Sequence, residues 1–260
     1  MTKPVLKVEG LSVALADDPQ RKIIEDVSFT VLPLGIVAIV GGSGSGKTTT
    51  GLSILRLLSD ALAVSRGKIL FNGDDLLAAD ALRMNSVRGK EIGMVFQDPL
   101  QAFNPVFPVG FQVGEVFKYH TKLSASEIRQ STLDLFVRVG LDDPMRVFKS
   151  YPHQLSGGMR QRAMIAQAVA AKPSLLIADE PTSSLDVTLQ AKILELFLKL
   201  RDEYRLSMIL ITHDLGIVSH IADHVIVMEK GCVVESGTKK DIIAHPKHKY
   251  TQQLMRTLKD

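Results

Sequence analysis

Apolar and polar positions alternate from Val5 to Val13 (Val5, Leu6, Val8, Leu11 and Val13 are the apolar ones), as in a half-buried strand. A turn at Ala16-Asp17-Asp18-Pro19-Gln20 and a second alternating run, Ile24 to Val31, predict an antiparallel pair. Pro33 and Gly35 then punctuate the chain before Ile36-Val37-Ala38-Ile39-Val40, a run with no polar member. Similar unbroken runs recur at Ile92–Phe96, Leu175–Ala178 and Met208–Ile211. Such runs suit strands covered on both faces, and helical stretches alternate with them: Thr49–Leu58, Val187–Tyr204 and Leu215–Ala222. Gly67–Asn72 is expected to be a short strand ending in the Asn72-Gly73 turn, and Val225–Met228 and Cys232–Glu235 flank a turn at Lys230-Gly231. The expected fold is therefore α/β, a mainly parallel sheet with helices on both faces and an N-terminal antiparallel β-subdomain.

Between Gln97 and the strand at Leu175 the pattern changes. Leu100–Val116 contains Pro105, Pro108, Gly110 and Gly114 among aromatic residues and is too broken for one regular element. Ser124-Ala125-Ser126-Glu127 has the spacing of a capping box, and the helix that follows places Ile128, Thr132, Leu135, Phe136 and Val139 on one face before Gly140. Residues 98–165 are accordingly expected to form a helical subdomain inserted into a core made of 1–97 and 166–260.

Composition narrows the class. The 260 residues carry a net charge of only +3, with basic residues scattered, so no nucleic-acid footprint is present. The single cysteine, Cys232, excludes an internal disulfide and a thiolate metal cluster, and fits a reducing cytosol. No apolar run reaches the roughly 18 residues of a membrane span, and the N-terminus lacks a secretory pattern. Any membrane role is expected to be peripheral.

The chemistry begins at Gly41-Gly42-Ser43-Gly44-Ser45-Gly46-Lys47-Thr48, which follows a buried strand and precedes a helix. Its G-x-x-x-x-G-K-T spacing is that of a phosphate-binding P-loop. Glycines let consecutive backbone amides point inward at a polyphosphate, and the following helix adds its positive end. Lys47 can bridge β- and γ-phosphates, the Thr48 hydroxyl can ligate Mg²⁺, and Thr49 can donate to an α-phosphate oxygen. Asp179-Glu180 ends a hydrophobic strand downstream. An acid there suits Mg²⁺ held through water, and the next carboxylate suits a general base on the attacking water. Read without these roles, the two are ordinary solvated acids at a strand end.

Leu155-Ser156-Gly157-Gly158-Met159-Arg160-Gln161-Arg162 is the most discriminating stretch. It resembles the Leu-Ser-Gly-Gly-x-x-Gln-Arg signature of the ATP-binding-cassette (ABC) ATPases, and the resemblance extends over the whole chain. It implies that Leu155, Ser156, Gly157, Gly158 and Gln161 engage the ATP held on the P-loop of a partner subunit, so that two chains enclose two ATP molecules. It also implies a Mg²⁺ and water contact for Gln97, a D-loop at Ser184-Leu185-Asp186 and a γ-phosphate contact for His213. The family's adenine-stacking aromatic falls at Leu15 here, so the adenine contact is expected to be apolar, with Arg21 as a possible aid. Leu34-Gly35-Ile36 also replaces a common Gly-Glu turn.

Phe96-Gln97-Asp98-Pro99, Phe103-Asn104-Pro105, Tyr151-Pro152-His153-Gln154 and the tail His245-Pro246-Lys247-His248-Lys249-Tyr250-Thr251 are similar to the ATPase subunits of bacterial oligopeptide, dipeptide and nickel importers. That resemblance implies a peripheral ATPase at the cytoplasmic face of the inner membrane. Its expected partners are a second ATPase subunit, two permeases and an extracytoplasmic substrate-binding protein, and its cargo is peptides or a nickel or metal chelate. Phe103, Phe107 and Phe111 would form a groove for the permease or, alternatively, pack within the helical subdomain. With Cys232 alone, the iron–sulfur cysteine cluster of many peptide-importer subunits is not expected. His245 and His248 are read as solvated or structural rather than metal-binding. An exporter ATPase uses the same motor. A non-transport ABC ATPase usually carries further cassettes or basic arms, and a soluble P-loop kinase lacks the signature.

Overall fold

The computed structural model describes residues 3–183 and 185–256. In chain order the elements are β1 (Leu6–Leu15), β2 (Lys22–Val31), β3 (Ile36–Val40), α1 (Lys47–Ile54), β4 (Leu62–Phe71), β5 (Asp74–Asp75), α2 (Ala81–Val87), β6 (Ile92–Val95), α3 (Pro99–Ala102), α4 (Val109–His120) and α5 (Ala125–Arg138). They continue with α6 (Pro144–Lys149), α7 (Gly157–Val169), β7 (Leu175–Asp179), α8 (Val187–Tyr204), β8 (Ser207–Thr212), α9 (Leu215–Ile221), β9 (His224–Glu229), β10 (Cys232–Thr238), α10 (Lys239–Ala244) and α11 (Lys249–Arg256). The chain divides into two compact units, 1–85 with 207–260, and 86–206.

The first unit holds two sheets. One is antiparallel, in the order β2-β1-β4-β5. β1 pairs with β2 from Leu6↔Val31 to Ala14↔Lys22, and with β4 from Leu6↔Phe71 to Leu15↔Leu62. In the other, β3 lies between β8 and β9, parallel to both, and β10 returns antiparallel to β9. Flanked on both edges and covered on both faces, Ile36–Val40 is buried at every position, which is why that run contains no polar residue. Ala38 and Val40 join Leu215, Val218, Val225, Val227 and Ile242 in one apolar cluster. The two sheets meet where the Glu25 amide donates to the Gly231 carbonyl at 2.9 Å.

β4 is longer than the expected Gly67–Asn72 strand, beginning at Leu62. Gly67 does not start the strand; it sits in an irregularity of the β1–β4 pairing, between Glu9↔Lys68 and Ser12↔Arg66, with φ +112°. A glycine that reads as punctuation is here a bulge inside a continuous strand.

The second unit pairs β6 with β7 in parallel, Ile92↔Leu175 to Val95↔Ala178, and surrounds them with helices. α4 packs on α5, α6 and α7. The Ser124–Glu127 capping box is formed: the Ser124 hydroxyl accepts from the Glu127 amide, and the Glu127 carboxylate accepts from the Ser124 amide at 2.7 Å. The broken 100–116 stretch resolves into α3, a loop, and α4 from Val109. Gly110 lies inside α4 because a Cβ there would overlap the Phe148 ring of α6. Phe103 is buried, whereas Phe107 and Phe111 are exposed and stacked on each other with ring centroids 5.3 Å apart. Phe103 thus packs inside, and the other two remain at the surface.

Candidate functional site

In the first unit the loop from Gly41 to Gly46 leaves the carboxyl end of β3 and runs into α1. Its path is set by close packing. A Cβ on Gly41 would overlap the Met228 carbonyl oxygen of β9. The Ser45 carbonyl accepts from the Gly231 amide at 3.1 Å, which pins the far side of the loop. Lys47 is buried and folds back, its Nζ donating to the Gly41 and Gly42 carbonyls at 2.9 Å each. The loop therefore closes around an ammonium group. Gly46 is the N-cap of α1, and no side chain caps that helix start. The Ser45 hydroxyl is buried without a hydrogen-bond partner among the described residues. An uncapped helix start, a buried cation and an orphaned hydroxyl in one glycine-rich turn fit a polyphosphate. Thr48 and Thr49 occupy the first turn of α1.

His213 follows β8. Val40 is in register with Thr212, so Gly41 and His213 leave neighbouring parallel strands at the same end. The Asp214 carboxylate caps α9, accepting from the Gly216 amide at 2.7 Å, and so fixes the backbone beside His213. Leu15 ends β1, half-buried, opposite Leu62.

The second unit repeats this geometry. Val95 is in register with Ala178, so Gln97 and the Asp179-Glu180 pair emerge together at the carboxyl ends of parallel strands. That is the end where open α/β sheets place their ligands. Asp179 is buried at the end of β7. Glu180 is nearly buried and adopts φ +45°, an uncommon conformation for a side-chain-bearing residue and one found at constrained functional positions. The Ser183 amide and hydroxyl both donate to the Glu180 carbonyl, at 3.3 and 3.1 Å, and hold that turn.

Ser156 caps α7, accepting from the Met159 amide at 3.3 Å. Leu155 is buried, and its carbonyl accepts from the Arg160 guanidinium at 2.7 Å. A Cβ added to Gly157 meets nothing within 4 Å, whereas one on Gly158 would touch Leu189 of α8 at 3.4 Å. Gln161 is buried, and its Nε2 has no hydrogen-bond partner among the described residues. Asp186 caps α8 through the Leu189 amide at 2.9 Å, and Gln190 donates to the carbonyls of Thr182 and Leu185. The signature stretch and Leu185-Asp186 are thus neighbours; Ser184 lies outside the described residues. Among the described residues no group of three or more His, Cys, Asp or Glu side chains gathers to hold a metal. Mg²⁺ shared with substrate phosphates does not need one, since it takes only one or two protein oxygen donors.

One contact at the loop has no counterpart among the sequence-predicted residues. The Gly42 amide donates to the Tyr250 hydroxyl at 2.7 Å, across 208 positions of sequence. The hydrophobic pattern around Tyr250 predicts no such reach.

These features define a P-loop nucleotide-binding cassette. A sequence profile described as ABC transporter matches residues 24–183. The chain is 47% identical over 256 residues to the peptidoglycan transport ATP-binding protein YejF of Agrobacterium fabrum, covering 98% of this chain and 47% of that protein. It is 44% identical over 263 residues to a putative peptide import ATP-binding protein of Brucella ovis, covering 98% of this chain and 78% of that protein. It thus spans about half the length of the Agrobacterium relative. Among solved structures, a dimeric bacterial ABC transporter cassette superposes with a TM-score of 0.79 at 26% identity, covering 90% of this chain and 98% of that one. The dimeric post-hydrolysis state of an ATP-binding cassette bound to ADP and Pi gives the same values. CbiO1 of Clostridium perfringens, part of the cbiONQ ABC transporter complex, gives 0.78 at 28% identity, covering 98% and 94%. The chain belongs to the ABC transporter family. Within it, the chain is an ATP-hydrolysing cassette.

Proposed function

We propose that this chain is the ATP-hydrolysing motor of a membrane importer, and that its cargo is peptidic. The observation that carries the motor reading is the coexistence in one chain of a P-loop closed on Lys47 and an open, Ser156-capped helix start at Gly157. The peptide cargo is supported by relatives named as peptide import and peptidoglycan transport ATP-binding proteins. A nickel or metal-chelate cargo rests on the sequence resemblance alone.

In this reading residues 41–49 bind the phosphates of ATP, and Lys47 bridges the β- and γ-phosphates. Leu15 gives adenine an apolar contact. Thr48, Gln97 and, through water, Asp179 hold Mg²⁺, which when bound draws charge away from the phosphates. Glu180 polarises the attacking water, and His213 contacts the γ-phosphate. Ser156, Gly157 and Gly158, supported by Leu155 and Gln161, meet the ATP of a second cassette, while Leu185 and Asp186 cross to it. The dimeric cassette structures support that pairing. Two permeases and an extracytoplasmic binding protein complete the system. Among the described residues no helix is long and apolar enough to cross a membrane, so the permeases supply the spans.

The test is the mass and composition of the complex extracted from native membranes in mild detergent with ATP and Mg²⁺. Recovery with two permeases and a second ATPase is expected. Recovery as a homodimer without membrane partners would overturn the importer reading and leave the ATPase.

A further inference from the structure

The last described helix, α11, reaches the phosphate loop through Tyr250 in its first turn. The Tyr250 hydroxyl accepts the Gly42 amide hydrogen at 2.7 Å, and a Cβ on Gly42 would stand 3.1 Å from the same oxygen. Both backbone polar groups of Gly42 are therefore held by side chains, the carbonyl by Lys47 and the amide by Tyr250. The ring is not loose. With Leu254 it packs against the apolar cluster beneath β3 and β9.

A second set of contacts fixes where α11 begins. The Glu235 carboxylate of β10 accepts from the Lys247 amide at 2.8 Å and from the His248 amide at 3.0 Å. Burial pushes the Glu235 carboxyl upward. The nearby Thr251 side chain, the hydrogen bonds from those two amides and the His248 charge outweigh it and hold the group below its ordinary value. The Tyr250 amide donates to His248 Nδ1 at 3.3 Å, and the Gln252 side chain donates to the Pro246 carbonyl at 3.0 Å. The segment from Pro246 to Gln252 is thus an anchored strap that reaches the loop through the Tyr250–Gly42 hydrogen bond.

Gly42 sits in the glycine-richest part of the chain, where backbone freedom lost on binding is largest. Fixing its amide beforehand lowers that cost. We propose that Tyr250 is a positioning residue for the nucleotide: anchored by Glu235, it holds the shoulder of the phosphate loop in its binding shape and thereby sets ATP affinity. This rests on the reading of residues 41–49 as the ATP site.

The experiment uses the full chain with ATP and Mg²⁺, with calorimetric titration well below the unfolding temperature. Tyr250→Phe keeps the ring and its packing and removes only the hydroxyl. It is expected to raise the ATP Kd about three- to tenfold, the loss of one hydrogen bond, and to speed hydrogen exchange at the Gly42 amide. Glu235→Ala is expected to raise Kd by a similar factor, and the double variant to be no worse than about twofold beyond the weaker binder of the two, since linked contacts are not additive. A packing role alone predicts parent-like affinity and exchange in Tyr250→Phe, and that result overturns the proposal. Lys47→Ala separates the two readings. If it loses binding while Tyr250→Phe does not, only the strap falls. If both bind as the parent does, the ATP site itself has been misassigned.

Discussion

Gly41 lies so close to Met228 that a Cβ on it would overlap the Met228 carbonyl oxygen and stand 2.6 Å from the Ser45 hydroxyl. The start of the phosphate loop is seated directly on the backbone of β9, a strand almost 190 positions away. The nearer obstacle is backbone and cannot swing aside as the Ser45 side chain can. Gly41→Ala is therefore expected to cost about 1–3 kcal/mol, as overpacking does, and to weaken ATP binding through displacement of the loop. Thermal unfolding with parallel ATP titration checks both. A variant of parent stability and affinity would show that the loop is not set by this contact.

Glu180 combines near-complete burial with φ +45° and a turn held by Ser183. Gln has nearly the same shape and hydrogen-bonding reach, so Glu180→Gln should leave that turn intact and remove only the carboxylate proposed as the base. Phosphate release is expected to fall about 10²–10⁴-fold, the usual contribution of a general base, while ATP binding persists. Because the cassette then cannot clear its nucleotide, size-exclusion with ATP should show an accumulated dimer. Turnover at the parent rate would remove Glu180 from the base role.

Much of this site was legible locally. A strand, a glycine-rich turn and a helix that adjoin in sequence adjoin in space, so residues 36–54 could be read directly. The same holds for the Ser124–Glu127 box, whose partners are three residues apart. What failed to show was non-local. The first half of β4 exists because Leu62, Ala63 and Val64 pair with Leu15, Ala14 and Val13, and no short window displays that partner. Gly110 disguised the start of α4 because it answers to Phe148, 38 positions on. Phe103 and Phe107 have similar local surroundings in sequence, yet one is buried and the other exposed. Tyr250 reaches Gly42 by a single side-chain-to-backbone bond, a contact that leaves no periodicity behind.

Stability should also depend on pH through two histidines. Burial pushes the His224 imidazole below its ordinary 6.5; its Nε2 lies 2.8 Å from the Ser236 hydroxyl. Burial, and then the Lys90 charge, push His120 the same way. A histidine whose folded value is depressed binds fewer protons folded than unfolded between the two values. Stability is then full above 6.5 and declines as pH falls through 6.5 toward the folded values, below which the loss levels off. Urea midpoints across this range should follow that curve, and His120→Gln/His224→Gln should flatten it. An unchanged slope in the double variant would assign the pH dependence to other groups.

Gly157 offers the sharpest separation of folding from function. It begins α7, its backbone needs no left-handed conformation, and a Cβ there meets nothing within 4 Å. Nothing among the described residues accounts for a glycine at this position. Alanine is the better helix former by about 0.5–1 kcal/mol in helix interiors, so Gly157→Ala should be at least as stable as the parent. If the space beside Gly157 belongs to the ATP of a second cassette, the same methyl group intrudes on it. ATP-dependent dimerisation and hydrolysis should then fall at least tenfold, while ATP binding to the chain's own P-loop is kept. Unfolding temperature, nucleotide affinity and phosphate release, measured on one preparation, decide the matter. A stable variant that binds and hydrolyses ATP normally would mean that the open face of α7 meets solvent and that the signature stretch does not close a partner's site. A stable variant that binds ATP but no longer turns it over would place a second cassette at this face, because no contact among the described residues has been disturbed.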